Sequence, residues 1–277
     1  MQAANPQSLK PVNAARIIAL SNQKGGVGKT TTAINLATAL AACGNRVLVI
    51  DFDPQGNTST GFGIDKRAAE HNAYSLLMGD STLQQSTHQT QVPGLAIVPS
   101  TIDLSGAEVE LVPMMARETR LRDALAPGLA LYDYIFLDCP PSLGLLTINA
   151  LVAARDVIVP LQCEFFAMEG ISQLFKTFEL VKKNLNPTLE IRGVLLTMFD
   201  KRNRLATQVV EDVRKHLGGL VFDTIIPRNV RLSEAPSYGA PGLIYDVKSP
   251  GSQAYIRLAA ELIQRFAGLA EPQSQAA

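Results

Sequence analysis

One short run constrains this chain more than anything else in it: Gln23-Lys24-Gly25-Gly26-Val27-Gly28-Lys29-Thr30-Thr31. It follows an apolar, β-branched stretch and opens a segment of helical periodicity. A Gly-rich turn between a strand and a helix brings backbone N–H groups close to phosphate oxygens, and the helix start adds the positive end of a dipole. Gly25, Gly26, Val27, Gly28 and Thr31 supply the cradle. Lys29 is spaced to reach the terminal phosphates, and the Thr30 hydroxyl to bind Mg²⁺.

The rest of the chain reads as the scaffold such a loop requires. Strands are expected over Arg16–Ser21, Arg46–Asp51, Leu95–Pro99, Asp133–Asp138, Asp156–Leu161, Ile191–Met198 and Leu220–Ile226. Their near-continuous Ile, Val, Leu and Phe fit a sheet covered on both faces. Between them lie helical stripes: Ala33, Leu36, Ala37 and Leu40; Ile171, Leu174, Phe175, Phe178 and Leu185; Tyr255, Leu258, Ala259, Leu262 and Phe266. The alternation predicts an α/β fold, a doubly wound, mostly parallel sheet flanked by helices. One domain is expected over 14–267, with polar tails at 1–13 and 268–277.

Composition narrows the class further. The 277 residues carry 25 Lys+Arg and 25 Asp+Glu, and 47% are hydrophobic, which excludes a disordered chain. No apolar run is long enough for a membrane span, and Met1 to Asn13 lacks the apolar core of a secretory signal. Cys43, Cys139 and Cys163 are odd in number and widely spaced, as expected of reduced thiols in a cytoplasm.

The loop departs from the usual G-x-x-x-x-G-K-[ST] pattern, with Gln23 at the first Gly position and an additional Lys24. Lys24 stands too far round the loop to serve its own nucleotide as Lys29 does. It is either a lysine donated to a nucleotide in a partner subunit or a solvated loop lysine. Acids close two of the expected strands: Asp51-Phe52-Asp53 and, after four apolar or aromatic residues, Asp138. In open α/β sheets the ligand crevice lies at the carboxyl ends of strands. Asp51 and Asp138 therefore read as metal-shell residues, and Asp53 as the residue that positions the attacking water. The segment after Asp138 is no D-x-x-G switch, and Thr197-Met198-Phe199-Asp200 stands where a guanine reader would carry N-K-x-D, so GTP is not expected.

These residues together resemble a known family. Lys24-Gly-Gly-Val-Gly-Lys-Thr-Thr is similar to the deviant Walker A of the ParA/MinD P-loop ATPases. Asp51-x-Asp53-Pro-Gln-Gly-Asn, Leu137-Asp-Cys-Pro-Pro-Ser and the run from Ile226 to Gly239 resemble the chromosomal ParA (Soj) branch, in order over about residues 15–265. The resemblance implies an ATPase that uses ATP and Mg²⁺ and forms a nucleotide-sandwich homodimer, in which Lys24 reaches the partner's ATP. It implies non-specific binding of double-stranded DNA, a centromere-binding ParB-type partner that stimulates hydrolysis, and a bacterial, nucleoid-associated location. It also implies that Asp53 is needed for hydrolysis, and that Met198, Pro227, Arg228 and Asn229 lie near the adenine.

Zero net charge conceals an uneven distribution. Residues 176–231 hold eleven Lys+Arg and six Asp+Glu, which leaves the remainder at −5. Lys201-Arg202-Asn203-Arg204 stands at the start of an expected helix whose buried face is Leu205, Val209, Val213 and Leu217. Cations there oppose the helix dipole at about 0.3–1 kcal/mol each, a cost an external polyanion would offset. By resemblance Arg202 and Arg231 carry DNA binding; Arg204 and Lys248 are further candidates. The alternative is a MinD-like, membrane-associated division-site ATPase. It needs a basic amphipathic C-terminal helix, and residues 263–277 offer only Arg265.

Overall fold

In the computed structural model, which describes residues 15–164 and 167–270, the apolar runs form seven strands. They are β1 Arg16–Leu20, β2 Val47–Asp51, β3 His88–Gln89, β4 Leu95–Val98, β5 Tyr134–Asp138, β6 Asp156–Gln162 and β7 Glu190–Thr197. Their order in the sheet is β3-β4-β2-β5-β1-β6-β7. Every pairing is parallel except β3 with β4. The expected doubly wound sheet is therefore present.

Alternation along the strands divides the core. Ile17, Ala19, Leu48 and Ile50 face one layer, with the Leu145–Ala153 and Ala167–Asn184 helices. Ile18, Leu20, Val47 and Val49 face the other, with the Lys29–Ala42 and Pro250–Ala270 helices. A hydroxyl contact of 3.1 Å between Thr32 Oγ1 and Tyr255 Oη joins the last two helices. The Pro250–Ala270 helix continues through 268–270, into the expected tail; residues 1–13 and the rest of that tail lie outside the described residues.

Two expectations need correction. Leu220–Ile226 is not a strand, although it runs beside β7 and bridges it at Val194–Val221, with a further bridge at Phe199–Pro227. Side chains of the last helix take the backbone groups a ladder would use. Glu261 accepts from the Asp223 and Thr224 amides at 2.8 and 2.9 Å, and Arg265 donates to the Val221 carbonyl at 2.8 Å. The other strand is β3, too short for any periodicity to betray; it covers part of the β4 edge. Two helix faces also shift. Leu185 and Leu205 are exposed, while Ala206 joins Val209 and Val213 in the interior.

At the amino ends of the strands, buried Asp156 is held between Arg16 Nε and Arg192 Nε, each at 2.7 Å. The Arg16 guanidinium lies 3.9 Å over the Phe266 ring. No described helix is long and apolar enough to cross a membrane.

Candidate functional site

Register builds the site. In the pairings of β5, Leu20 of β1 and Asp51 of β2 both lie opposite Asp138. One row across the sheet thus carries the exit to the Gly-rich loop and two carboxylates. The loop turns through Gly26 and Gly28, with φ of 74° and 91°, where a side chain would be strained. Gly28 hands over directly to the Lys29–Ala42 helix.

Lys29 is buried, and its ammonium donates to the carbonyls of Asn22 and Lys24 at 3.0 and 3.2 Å. Burial lowers its pKa, and the charges of Asp138 and Asp53 pull the other way. Asp138 Oδ2 accepts the hydroxyls of Thr30 at 2.8 Å and Thr58 at 2.6 Å. Asp51 Oδ2 accepts the Ser59 amide at 2.7 Å and its hydroxyl at 2.6 Å. The other oxygen of each carboxylate is buried and has no hydrogen-bond partner among the described residues. Burial, and for Asp51 also repulsion from Asp138, raises the pKa of Asp51 to about 7; burial raises that of Asp138 to about 6.

Such half-satisfied buried carboxylates require an explanation, and a divalent cation supplies one. Among the described residues no group of three or more His, Cys, Asp or Glu is arranged to hold a metal. Mg²⁺, however, commonly takes one or two carboxylates and completes its shell with substrate phosphates and water. Thr30, Asp138 and Asp51 fit that kind of ion. Asp53 sits half-buried on the loop beyond β2, its Oδ1 accepting the Gln55 amide at 3.0 Å.

Beside the loop, Gly28, Thr31, Met198, Pro227, Arg228, Asn229 and Tyr255 are among the residues lining a cavity of about 100 Å³. The structure thus brings together the four residues expected near a base. Met198 has φ of 53°, a left-handed conformation unusual for a non-glycine residue. Just before it, Thr197 Oγ1 donates to the Val27 carbonyl at 2.8 Å, tying the end of β7 to the Gly-rich loop.

Lys24 is half exposed and pairs with Glu164, just beyond β6. Two of the expected DNA-binding arginines, Arg202 and Arg231, are also paired. Arg202 meets Asp200 at 2.8 Å and holds that carboxylate down at about 2. Arg231 meets Glu234 at 3.0 Å and Asp246 at 3.6 Å. Arg204 and Lys248 are exposed. Tyr238 and Tyr245 stack beside Arg231 with centroids 5.0 Å apart. Sequence reading also missed Thr58, Ser59, Glu164 and Thr197. The Thr58 and Ser59 hydroxyls after the β2 acids were the available signal; Glu164 gave none.

The fold and this crevice define a P-loop nucleoside-triphosphatase. The family described as AAA domain matches residues 15–191. The chain is 57% identical over 255 residues to the chromosome partitioning protein ParA of Caulobacter vibrioides, covering 91% of this chain and 96% of that one. It is 53% identical over 247 residues to the sporulation initiation inhibitor protein Soj of Bacillus subtilis, covering 89% and 98%. Among solved structures, the cobyrinic acid a,c-diamide synthase of Mycobacterium smegmatis, with bound ATP analogue and magnesium, superposes with a TM-score of 0.80 at 37% identity, covering 91% and 96%. The chain belongs to the ParA/Soj family of chromosome-partitioning proteins.

Proposed function

We propose that this protein is a Mg²⁺-dependent ATPase whose hydrolysis times a DNA-bound, dimeric state in bacterial chromosome or plasmid segregation. The observation that carries the reading is the row at the ends of β1, β5 and β2. There Asp138 and Asp51 each keep one buried oxygen without a hydrogen-bond partner among the described residues, beside Thr30 and the Gly-rich loop. The names of the relatives, and the ATP analogue and magnesium in the similar structure, support the choice of substrate and ion.

In this reading Gly25 to Thr31 bind the phosphates, and Met198, Pro227, Arg228 and Asn229 wall the adenine. Thr30, Asp138 and Asp51 would hold Mg²⁺, which would neutralise phosphate charge. Lys29 stabilises the charge that builds as water attacks the γ-phosphate in line, and Asp53 orients that water. Lys24 leaves Glu164 to reach the nucleotide of a second subunit. Dimerisation joins the Arg202, Arg204, Arg231 and Lys248 surfaces of two subunits into one DNA-binding face. A ParB-type partner accelerates hydrolysis, and the monomers release DNA.

Size-exclusion chromatography of wild type and Asp53→Ala, with ATP or ADP and with or without DNA, tests the scheme. Asp53→Ala should accumulate as an ATP dimer that retains DNA; normal turnover in that variant would remove Asp53 from its role. Arg231→Glu should bind ATP but not DNA. Wild-type DNA affinity should fall about 10³–10⁵-fold between 50 and 200 mM salt if some 6–10 phosphates are contacted. A flat salt response would exclude a phosphate-backbone contact.

A further inference from the structure

A cavity of about 950 Å³ lies apart from the crevice and shares no lining residue with it. Its walls are apolar side chains from four short elements. Leu76 and Leu77 come from the Ala73–Met78 helix, Leu83 from the Leu83–Ser86 helix, Ala124 from the Arg120–Leu125 helix, and Pro127 and Leu131 from the Ala126–Leu131 3₁₀ turn. Leu131 is more than half exposed. A space of this size takes a small ligand or a few residues of extended chain. Left to water, it forgoes about 25 cal/mol for each Å² of apolar wall that an occupant would cover.

The charged lining residues are Arg120 and Asp123. Arg120 is already committed, donating to the carbonyls of Leu77 and Met78 at the end of the Ala73–Met78 helix. Asp123 is exposed and bonds to near neighbours, the Thr119 hydroxyl at 3.0 Å and Arg122 Nε at 3.1 Å. Exposed pairs of this kind hold a carboxylate weakly, so Asp123 remains open to an arriving cation.

The chain itself brings a candidate to this wall. Ala15 donates its amide to the Leu129 carbonyl at 2.8 Å. Leu129 stands between Gly128 and Leu131, both lining residues. Ala15 also packs on the same core layer as Leu76, Leu77 and Leu83. Residues 1–14, which lie outside the described residues, therefore join the fold beside the cavity. Their chemistry matches it. Val12 and Leu9 are apolar, and an extended chain keeps them within about 10 and 20 Å of Ala15. Pro6 and Pro11 bias the residues before them toward extended backbone, which lowers the entropy lost on docking. Lys10 is the one charged side chain before Arg16, and it is a cation.

We propose that residues 9–14 dock as an extended strap in this cavity, with Leu9 and Val12 covering its apolar walls and Lys10 paired with Asp123. The strap is independent of the nucleotide reading.

The chain contains no Trp, so Leu9→Trp in the full chain is a unique reporter. Its emission should be blue-shifted and shielded from acrylamide in the native state, and should lose both properties in denaturant. Adding Leu131→Arg at the mouth should remove the shielding while the far-ultraviolet circular dichroism stays as in wild type. Adding Asp123→Lys should weaken the shielding at low salt, and less at high salt. Without the reporter, Leu9→Asp/Val12→Asp should melt at least about 2 °C below wild type and bind the apolar dye ANS more strongly. A native Trp as accessible to acrylamide as in denaturant would overturn the strap. So would shielding that survives Leu131→Arg, which would place the segment elsewhere. Shielding that disappears on dilution would give the cavity to a second copy's segment. Wild type binding ANS as strongly as Leu9→Asp/Val12→Asp would leave the cavity open to a small apolar ligand. Either result would overturn the proposal.

Discussion

The two ends of the central sheet each bury carboxylates, and they treat them in opposite ways. At the amino end, Asp156 has both oxygens taken by guanidinium groups, and one of those guanidiniums is capped by an aromatic ring. At the carboxyl end, Asp51 and Asp138 each give one oxygen to hydroxyl or amide donors, and the other has no hydrogen-bond partner among the described residues. A buried charge that is fully paired inside the chain holds the chain together. One that is half paired is prepared for something brought from outside. Burial alone does not separate the two; the count of satisfied oxygens does.

The contrast is sharpest in mutants. Asp156→Ala would strand two arginine side chains and should cost about 3–5 kcal/mol in denaturant unfolding, with ATP affinity unchanged in the folded fraction. Asp138→Asn should do the reverse. Its amide oxygen can still accept from Thr30 and Thr58, so unfolding should shift little, while Mg²⁺-dependent phosphate release falls about 10²–10³-fold. If Asp138→Asn unfolds as readily as Asp156→Ala, the division between the two ends is wrong.

Asp51→Asn is a finer probe, because it removes a charge the metal-free fold is penalised for burying. With chelator present it should stabilise the protein by about 1–2 kcal/mol, and weaken Mg²⁺ binding. A destabilised Asp51→Asn would mean that the charge itself supports the fold.

The smallest effect is on pH. Burial raises Asp51 to about 7 and Asp138 to about 6, above the roughly 4 of an unfolded aspartate. Between these values the native state holds more protons than the unfolded chain, so stability falls as pH rises. Chelator-treated wild type should thus melt higher at pH 5 than at pH 8, and Asp51→Asn should flatten the difference. An equal slope in both would assign the titration to other groups.

Sequence patterning disclosed the carboxyl end far better than the rest. The Gly-rich loop and the strand-terminal acids are local, and parallel register brings them together without further information. What escaped was long-range. The 220–226 run has the composition of a strand, and only Glu261 and Arg265, on another element, divert its backbone. Glu164 meets Lys24 from 140 residues away.

The contact between Thr32 and Tyr255 has a consequence for how the protein is made. These residues stand 223 positions apart, so the helix that backs the Gly-rich loop leaves the ribosome about 10–45 s after the loop itself at ordinary elongation rates. Until then the cavity beside the loop lacks one wall, to which Tyr255 also contributes. The wall that Tyr255 and its helix supply is therefore complete only in a nearly finished chain.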